Sequence, residues 1–121
     1  MVEYEDLIGK TFEYGGRGPD KYDCYGLLRE MYRRIGKEVP DYTSPSVGPE
    51  IIAMVLDKKQ EWEEVEKKDG CAMLIRLRGN AHVGFTLPYG MFIHVWERSG
   101  GVTVERIRDW EARIVAYYDY L

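Results

Sequence analysis

Only two cysteines, Cys24 and Cys71, and two histidines, His82 and His94, occur in the 121 residues. Two cysteines in segments of different character make no disulfide framework. With neither a close cysteine pair nor a short His-to-His interval, they are a poor zinc set as well. Both are read as free thiols. Positive charge is also short, with 17 Lys and Arg against 21 Asp and Glu and a net charge of −4. That balance excludes a phosphate-neutralising surface, and with it nucleic acid as a partner. The one basic cluster, Arg29, Arg33 and Arg34, is small and interrupted by acids. Long apolar runs are absent too. The longest aliphatic stretch, Ile51 to Leu56, is far too short to span a bilayer, so no membrane insertion is expected. Met1 to Asp6 has neither a basic start nor an apolar core, so the chain is expected to be made in the cytoplasm without a cleavable signal.

What is present suits one compact domain over residues 1–121, since 45% hydrophobic content is ordinary for a chain with its own core. No internal repeat or low-complexity segment divides it. Helical patterning comes first and strand patterning afterwards, which predicts an α+β fold rather than repeated βαβ units. Leu27, Leu28, Met31 and Ile35 recur at helical spacing until Gly36 ends the pattern. Val39 to Pro45 reads as an extended loop, and Pro49 is placed to start a second helix carrying Ile51, Ile52, Val55 and Leu56. Trp62 and Val65 anchor either a short strand or a helical turn. From Cys71 the period changes to two, with Met73, Ile75 and Leu77 continuing a half-buried strand. Val102 to Ile107 and Arg113 to Tyr120 are expected to close the sheet.

Cys24 stands where a loop becomes a helix. Gly15-Gly16-Arg17-Gly18-Pro19 is turn chemistry, and Asp23 is a natural N-cap, which puts the thiol in the first helical turn. There the unpaired N–H groups and the helix dipole favour a thiolate, while the Asp23 charge opposes it. Gly26, two residues on, lets another backbone or a substrate come close. A lone cysteine is ordinarily a small buried hydrophobe, and Cys71, inside an apolar strand, is read that way.

The histidines lie on two strand-like segments, Ala81 to Leu87 and Met91 to Trp96, joined by Pro88-Tyr89-Gly90. A three-residue hairpin loop of this kind pairs Leu87 with Met91 and puts His94 opposite Gly84 and diagonal to His82 on one face. Val83, Phe85, Ile93 and Val95 then face the other layer. A thiol and two imidazoles make a nucleophile, a base and an orienting group: Cys24 attacks, His82 takes and returns the proton, and His94 holds the ring. The oxyanion formed on attack needs fixed donors, of which the Cys24 backbone N–H is one. Tyr89, Trp96 and Trp110 are read as core rather than as the lining of a groove.

These residues resemble the NlpC-type cysteine peptidases of bacterial cell walls, a family with a trimmed papain-like fold. The resemblance spans nearly the whole chain and rests on Phe12-Glu13-Tyr14-Gly15-Gly16 ahead of Asp23-Cys24-Tyr25-Gly26-Leu27, then His82-Val83-Gly84, then Phe92-Ile93-His94. It implies N-terminal helices, with the nucleophile at a helix start, packed on an antiparallel sheet. It also implies hydrolysis of amide bonds in murein stem peptides, of the D-γ-glutamyl to diaminopimelate or lysine type, without a cofactor. The family usually has a tyrosine where Phe12 stands, so a donor hydroxyl is missing. Phe12, Tyr14, Asp23 and Tyr25 are the candidates for the oxyanion and substrate-binding positions. The aromatic after the cysteine, the Pro40 segment and the absent signal look most like versions carried by phages and prophages, with other tail proteins as partners at a tail tip. The alternative is a weakly active or inactive binding module of such an assembly.

Overall fold

The computed structural model describes residues 2–41, 61–77 and 80–121. The second helix expected from Pro49 and the loop from Tyr42 to Pro45 lie outside the described residues. Two short parallel strands, β1 (Thr11–Phe12) and β2 (Lys21–Tyr22), lead into helix α1 (Cys24–Arg34). Six strands follow: β3 (Trp62–Val65), β4 (Ala72–Leu77), β5 (Asn80–Leu87), β6 (Met91–His94), β7 (Thr103–Arg106) and β8 (Ile114–Tyr120). They form one antiparallel sheet in the order β3-β8-β4-β5-β6-β7. The α+β architecture, with the cysteine at a helix start packed on an antiparallel sheet, is therefore as the sequence predicts.

Each end of α1 is closed by its own residues. Asp23 is the N-cap, its carboxylate accepting the Gly26 N–H at 2.6 Å. At the other end Gly36 takes φ +90°. There the Gly36 N–H donates to the Arg33 carbonyl and the Lys37 N–H to that of Tyr32, which satisfies two carbonyls the last turn leaves open. Leu27, Leu28, Met31 and Tyr32 bury one face of the helix against the sheet, while Ile35, beyond the last turn, stays 40% exposed. The Tyr32 hydroxyl donates to Asp119 on β8 at 2.8 Å, pinning the helix to the sheet.

The sheet is buried on both faces, which the sequence does not announce. On the helix side Leu74, Val83, Phe85, Ile93 and Val95 join the α1 residues in the main core. On the other side Met73, Ile75, Phe92, Ile107 and Trp110 form a second cluster, closed by a 3₁₀ segment at Ile107–Arg113. The strand at Cys71–Leu77, expected to be half-buried, is instead covered on both sides from Ala72 to Ile75. One expectation about the last strands also changes. β7 does form an edge, but β8 runs inside the sheet between β3 and β4. Trp62 opens a true strand, buried to 1% exposure.

The β5–β6 hairpin has the expected register, Leu87 opposite Met91 across Pro88-Tyr89-Gly90. Tyr89, expected in the core, is instead 88% exposed, because it sits at the tip of this turn with φ +65°. Trp96 is half-buried, and Trp110 is buried as expected. No helix among the described residues is long and apolar enough to cross a membrane.

Candidate active site

Gly15 and Gly16 form the floor against which the first turn of α1 is built. The Gly16 carbonyl accepts the Asp23 N–H at 3.1 Å. A Cβ on Gly26 would fall 2.1 Å from that same carbonyl oxygen, so only glycine fits two residues after the cysteine. The buried Asp23 carboxylate ties the pieces together. Besides capping α1 it accepts the Gly15 N–H at 3.1 Å and Nη1 of Arg17 at 2.7 Å. Arg17 in turn reaches Asp41 at 2.7 Å.

Cys24, at the first position of α1, is only 1% exposed. The sulfur receives hydrogen bonds from the backbone N–H groups of Val83 and Tyr25. The contact with Val83 puts it against the residue that follows His82. The β5–β6 ladder has already ended at this point, its pairs running from Leu87–Met91 to Phe85–Ile93. The expected thiolate does not hold in this state. Desolvation by burial pushes the thiol well above its ordinary value and the Asp23 charge adds to that; the two N–H groups and Arg17 oppose it without prevailing. Burial outweighs the helix start. Cys71 is buried and far from this chemistry, its thiol donating to the Lys68 carbonyl at 3.3 Å; both cysteines are free.

The two histidines meet. His82 Nε2 and His94 Nδ1 are 2.8 Å apart, both rings fully buried. Gly84 makes the shared face possible, since a Cβ there would come within 2.9 Å of the Phe92 ring. His94 packs on Phe92 and edge-on to Trp110, with ring centroids 4.6 and 5.0 Å apart. Its Nε2 lies 2.6 Å from Oε2 of Glu105, whose other oxygen accepts Trp110 Nε1–H at 3.2 Å. Burial pushes His82 well below the usual histidine range, and the neighbouring His94 adds to this. Burial also lowers His94, against the pull of Glu105. Nδ1 of His82 is a buried nitrogen with no hydrogen-bond partner among the described residues.

Glu105 is the residue that sequence reasoning missed. In the β6–β7 register His94 faces Thr103 and Phe92 faces Glu105, so Glu105 shares the histidine face one step along. That two-residue spacing on a strand already expected was the available signal, but the length of the connecting turn hid the register.

The other candidates part ways. The Tyr25 hydroxyl, expected near the thiol, donates instead to the Pro40 carbonyl at 2.7 Å and anchors the segment after α1. Phe12 is half-buried and meets Tyr14 edge to face at 4.9 Å. Tyr14 is 50% exposed, and a hydrogen bond with Glu97 raises its hydroxyl pKa. These residues line an open groove of about 610 Å³ with Thr11, Glu13, Gly100 and Gly101, between the loop after β1 and the loop after His94. No group of three or more acidic, histidine or cysteine side chains suited to a metal occurs among the described residues.

Solved structures with the same fold include two proteins of Trichomonas vaginalis, NlpC2 and NlpC1. Each has a TM-score of 0.69, at 17% and 19% identity, over 96% of this chain. A Staphylococcus aureus protein described as similar to a lipoprotein of the NLP/P60 family has a TM-score of 0.66 at 17% identity over 96% of this chain. The chain spans less than half the length of these three, 44%, 41% and 38%. The NlpC/p60 domain of the peptidoglycan hydrolase SagA has a TM-score of 0.62 at 21% identity, covering 93% of this chain and 88% of that one. At such identities the likeness is one of fold. The comparison with curated proteins returned no match. The NlpC/P60 family model matches residues 9–118, nearly the full length, and the chain belongs to the NlpC/P60 family.

Proposed function

We propose that this domain is a cysteine endopeptidase that hydrolyses amide bonds in peptidoglycan stem peptides, of the D-γ-glutamyl to diaminopimelate or lysine type. Cys24 is the nucleophile, His82 the base and His94 the group that orients it. The observation that supports this reading most is the unpartnered Nδ1 of His82, held at the end of an imidazole pair beside the backbone on which Cys24 Sγ rests. A buried nitrogen without a partner is costly, and a proton acceptor kept ready for a thiol accounts for that cost.

The Cys24 thiol gives its proton to His82 Nδ1, and the sulfur attacks the amide carbonyl carbon. The tetrahedral oxyanion is held by the Cys24 backbone N–H and further donors. His82 then returns the proton to the leaving amine as the C–N bond breaks, and water repeats the sequence on the thioester to release the acid. The groove beside Phe12 and Tyr14 is the place for the peptide. With the thiol neutral and 1% exposed at rest, substrate entry must uncover the sulfur.

Purified protein incubated with defined muropeptides tests this reading. Release of new amino groups, lost in Cys24→Ala and His82→Ala, is expected. The burial of the sulfur favours one other reading, a binding module of a larger assembly such as a phage tail tip, with little or no turnover. Muropeptide binding without cleavage, equal in wild type and Cys24→Ala, would select that second reading.

A further inference from the structure

We propose that Glu105 is a positioning residue that fixes the protons of both imidazoles and leaves His82 Nδ1 as the bare acceptor. The proposal rests on the peptidase reading for its kinetic consequence, but not for the proton positions. An ionised carboxylate only accepts, and indole Nε1–H only donates. Glu105 Oε1 takes the Trp110 N–H at 3.2 Å, and Oε2 lies 2.6 Å from His94 Nε2. That nitrogen must therefore carry a hydrogen. His94 is buried and held neutral, so it has one ring proton and its Nδ1 is a lone pair. The 2.8 Å contact with His82 is then made by His82 Nε2–H, which leaves His82 Nδ1 without a proton. It is the same atom that has no partner.

The neighbouring Trp110 gives the proposal its sharpest consequence. In Glu105→Gln the side chain has one acceptor and one donor end. Trp110 Nε1–H claims the oxygen, which turns the amide NH₂ toward His94 Nε2. His94 Nε2 must then be the lone pair, His94 Nδ1–H donates to His82 Nε2, and the remaining proton moves to His82 Nδ1. The near-isosteric change inverts both rings, whereas Glu105→Ala imposes no preference and leaves a mixture. Replacing Trp110 by Phe in the Gln variant frees the amide to turn its oxygen to His94 and restores the original order.

Two measurements test this. The first is ¹⁵N NMR of the histidine rings in the Cys24→Ala background, where turnover plays no part. The expected result is a single Nε2–H tautomer for both rings with Glu105, the Nδ1–H tautomer with Glu105→Gln, and the Nε2–H form again in Glu105→Gln/Trp110→Phe. The second is kcat/KM on muropeptides for the same substitutions with Cys24 intact. The expected order is wild type above Glu105→Ala above Glu105→Gln, with a loss on the order of 10²–10⁴-fold in Gln, the scale of a wrong-tautomer triad. Trp110→Phe is expected to recover a large part of the Gln loss while costing less than tenfold by itself. A role in packing alone would put Gln nearest to wild type and leave both tautomers unmoved, and that outcome overturns the proposal. The expected tautomers in a wild type that cleaves nothing would uphold the proton arrangement and refute the peptidase reading.

Discussion

Removing the Asp23 carboxylate is expected to destabilise the domain by about 3 kcal/mol while making Cys24 easier to ionise. The carboxylate is 2% exposed and accepts from Gly26 N–H, Gly15 N–H and Arg17 Nη1. In Asp23→Ala the lost N-cap costs about 1 kcal/mol. The part-buried Gly15 N–H left without its acceptor costs about 1 kcal/mol more. Arg17 is 20% exposed and keeps Asp41 and the Gly16 carbonyl, so its loss stays near 1 kcal/mol, well short of the cost of stranding a fully buried charge. The total corresponds to a fall in Tm of about 10 °C for a domain of this size. Asp23→Asn keeps an oxygen for the cap and is expected to lose about half as much. The electrostatic effect runs the other way, because the Asp23 charge holds the Cys24 thiol up and either variant removes it. Urea unfolding followed through the buried Trp62 measures the first effect, and the pH dependence of iodoacetamide labelling measures the second. Asp23→Ala within about 0.5 kcal/mol of wild type, or Asn as damaging as Ala, would refute the reasoning.

Gly26→Ala is expected to cost about 3 kcal/mol despite alanine's better helix propensity, since the new Cβ meets the Gly16 carbonyl oxygen at 2.1 Å. Gly16 is itself closely packed, since a Cβ built on it would meet Glu13 O, Lys21 O and Tyr22 Cα at 2.9 Å; a Gly26→Ala variant as stable as wild type in urea would show that the loop retreats. Stability is also expected to fall as pH drops below about 6.5, by up to about 1.4 kcal/mol per pH unit from His82, whose ring is pushed furthest down, and by less from His94, which Glu105 pulls back up. The sign follows from the folded rings titrating below the unfolded ones, so the unfolded chain binds more protons in that window and the stabilisation is whole only above it. Denaturation midpoints that stay level from pH 7 to pH 5 would contradict the neutral buried pair.

Local chemistry was the legible part of the sequence. The cap at Asp23, the stop at Gly36 and the hairpin loop at Pro88-Tyr89-Gly90 are each set by a few adjacent residues, and that loop alone determines that His82 and His94 share a face. What stayed hidden depends on contacts remote along the chain. β8 enters the sheet between β3 and β4, and the 3₁₀ segment before it brings Ile107 and Trp110 over Met73 and Ile75, whose strand pattern looked half-buried. The same long-range packing reverses the expectation for Cys24: its position at a helix start is readable from neighbours, but its burial is set by β5. Glu105 was missed because a turn of uncertain length separates it from His94.

The interior position of β8 has a consequence for how the chain comes to fold. Among the described residues β3 pairs only with β8, and β4 pairs with β8 from Ala72 to Ile75, so both strands have an open ladder until residues 114–120 have left the ribosome. The α1–β5–β6 portion, which holds the thiol and both imidazoles, can start to assemble earlier, but it does so on a sheet whose β4 side is still uncovered. A nascent chain halted before Ile114 would expose the Met73–Ile75 strand as a sticky edge, making the emergence of β8, rather than any local event, the step that protects this sheet from aggregation.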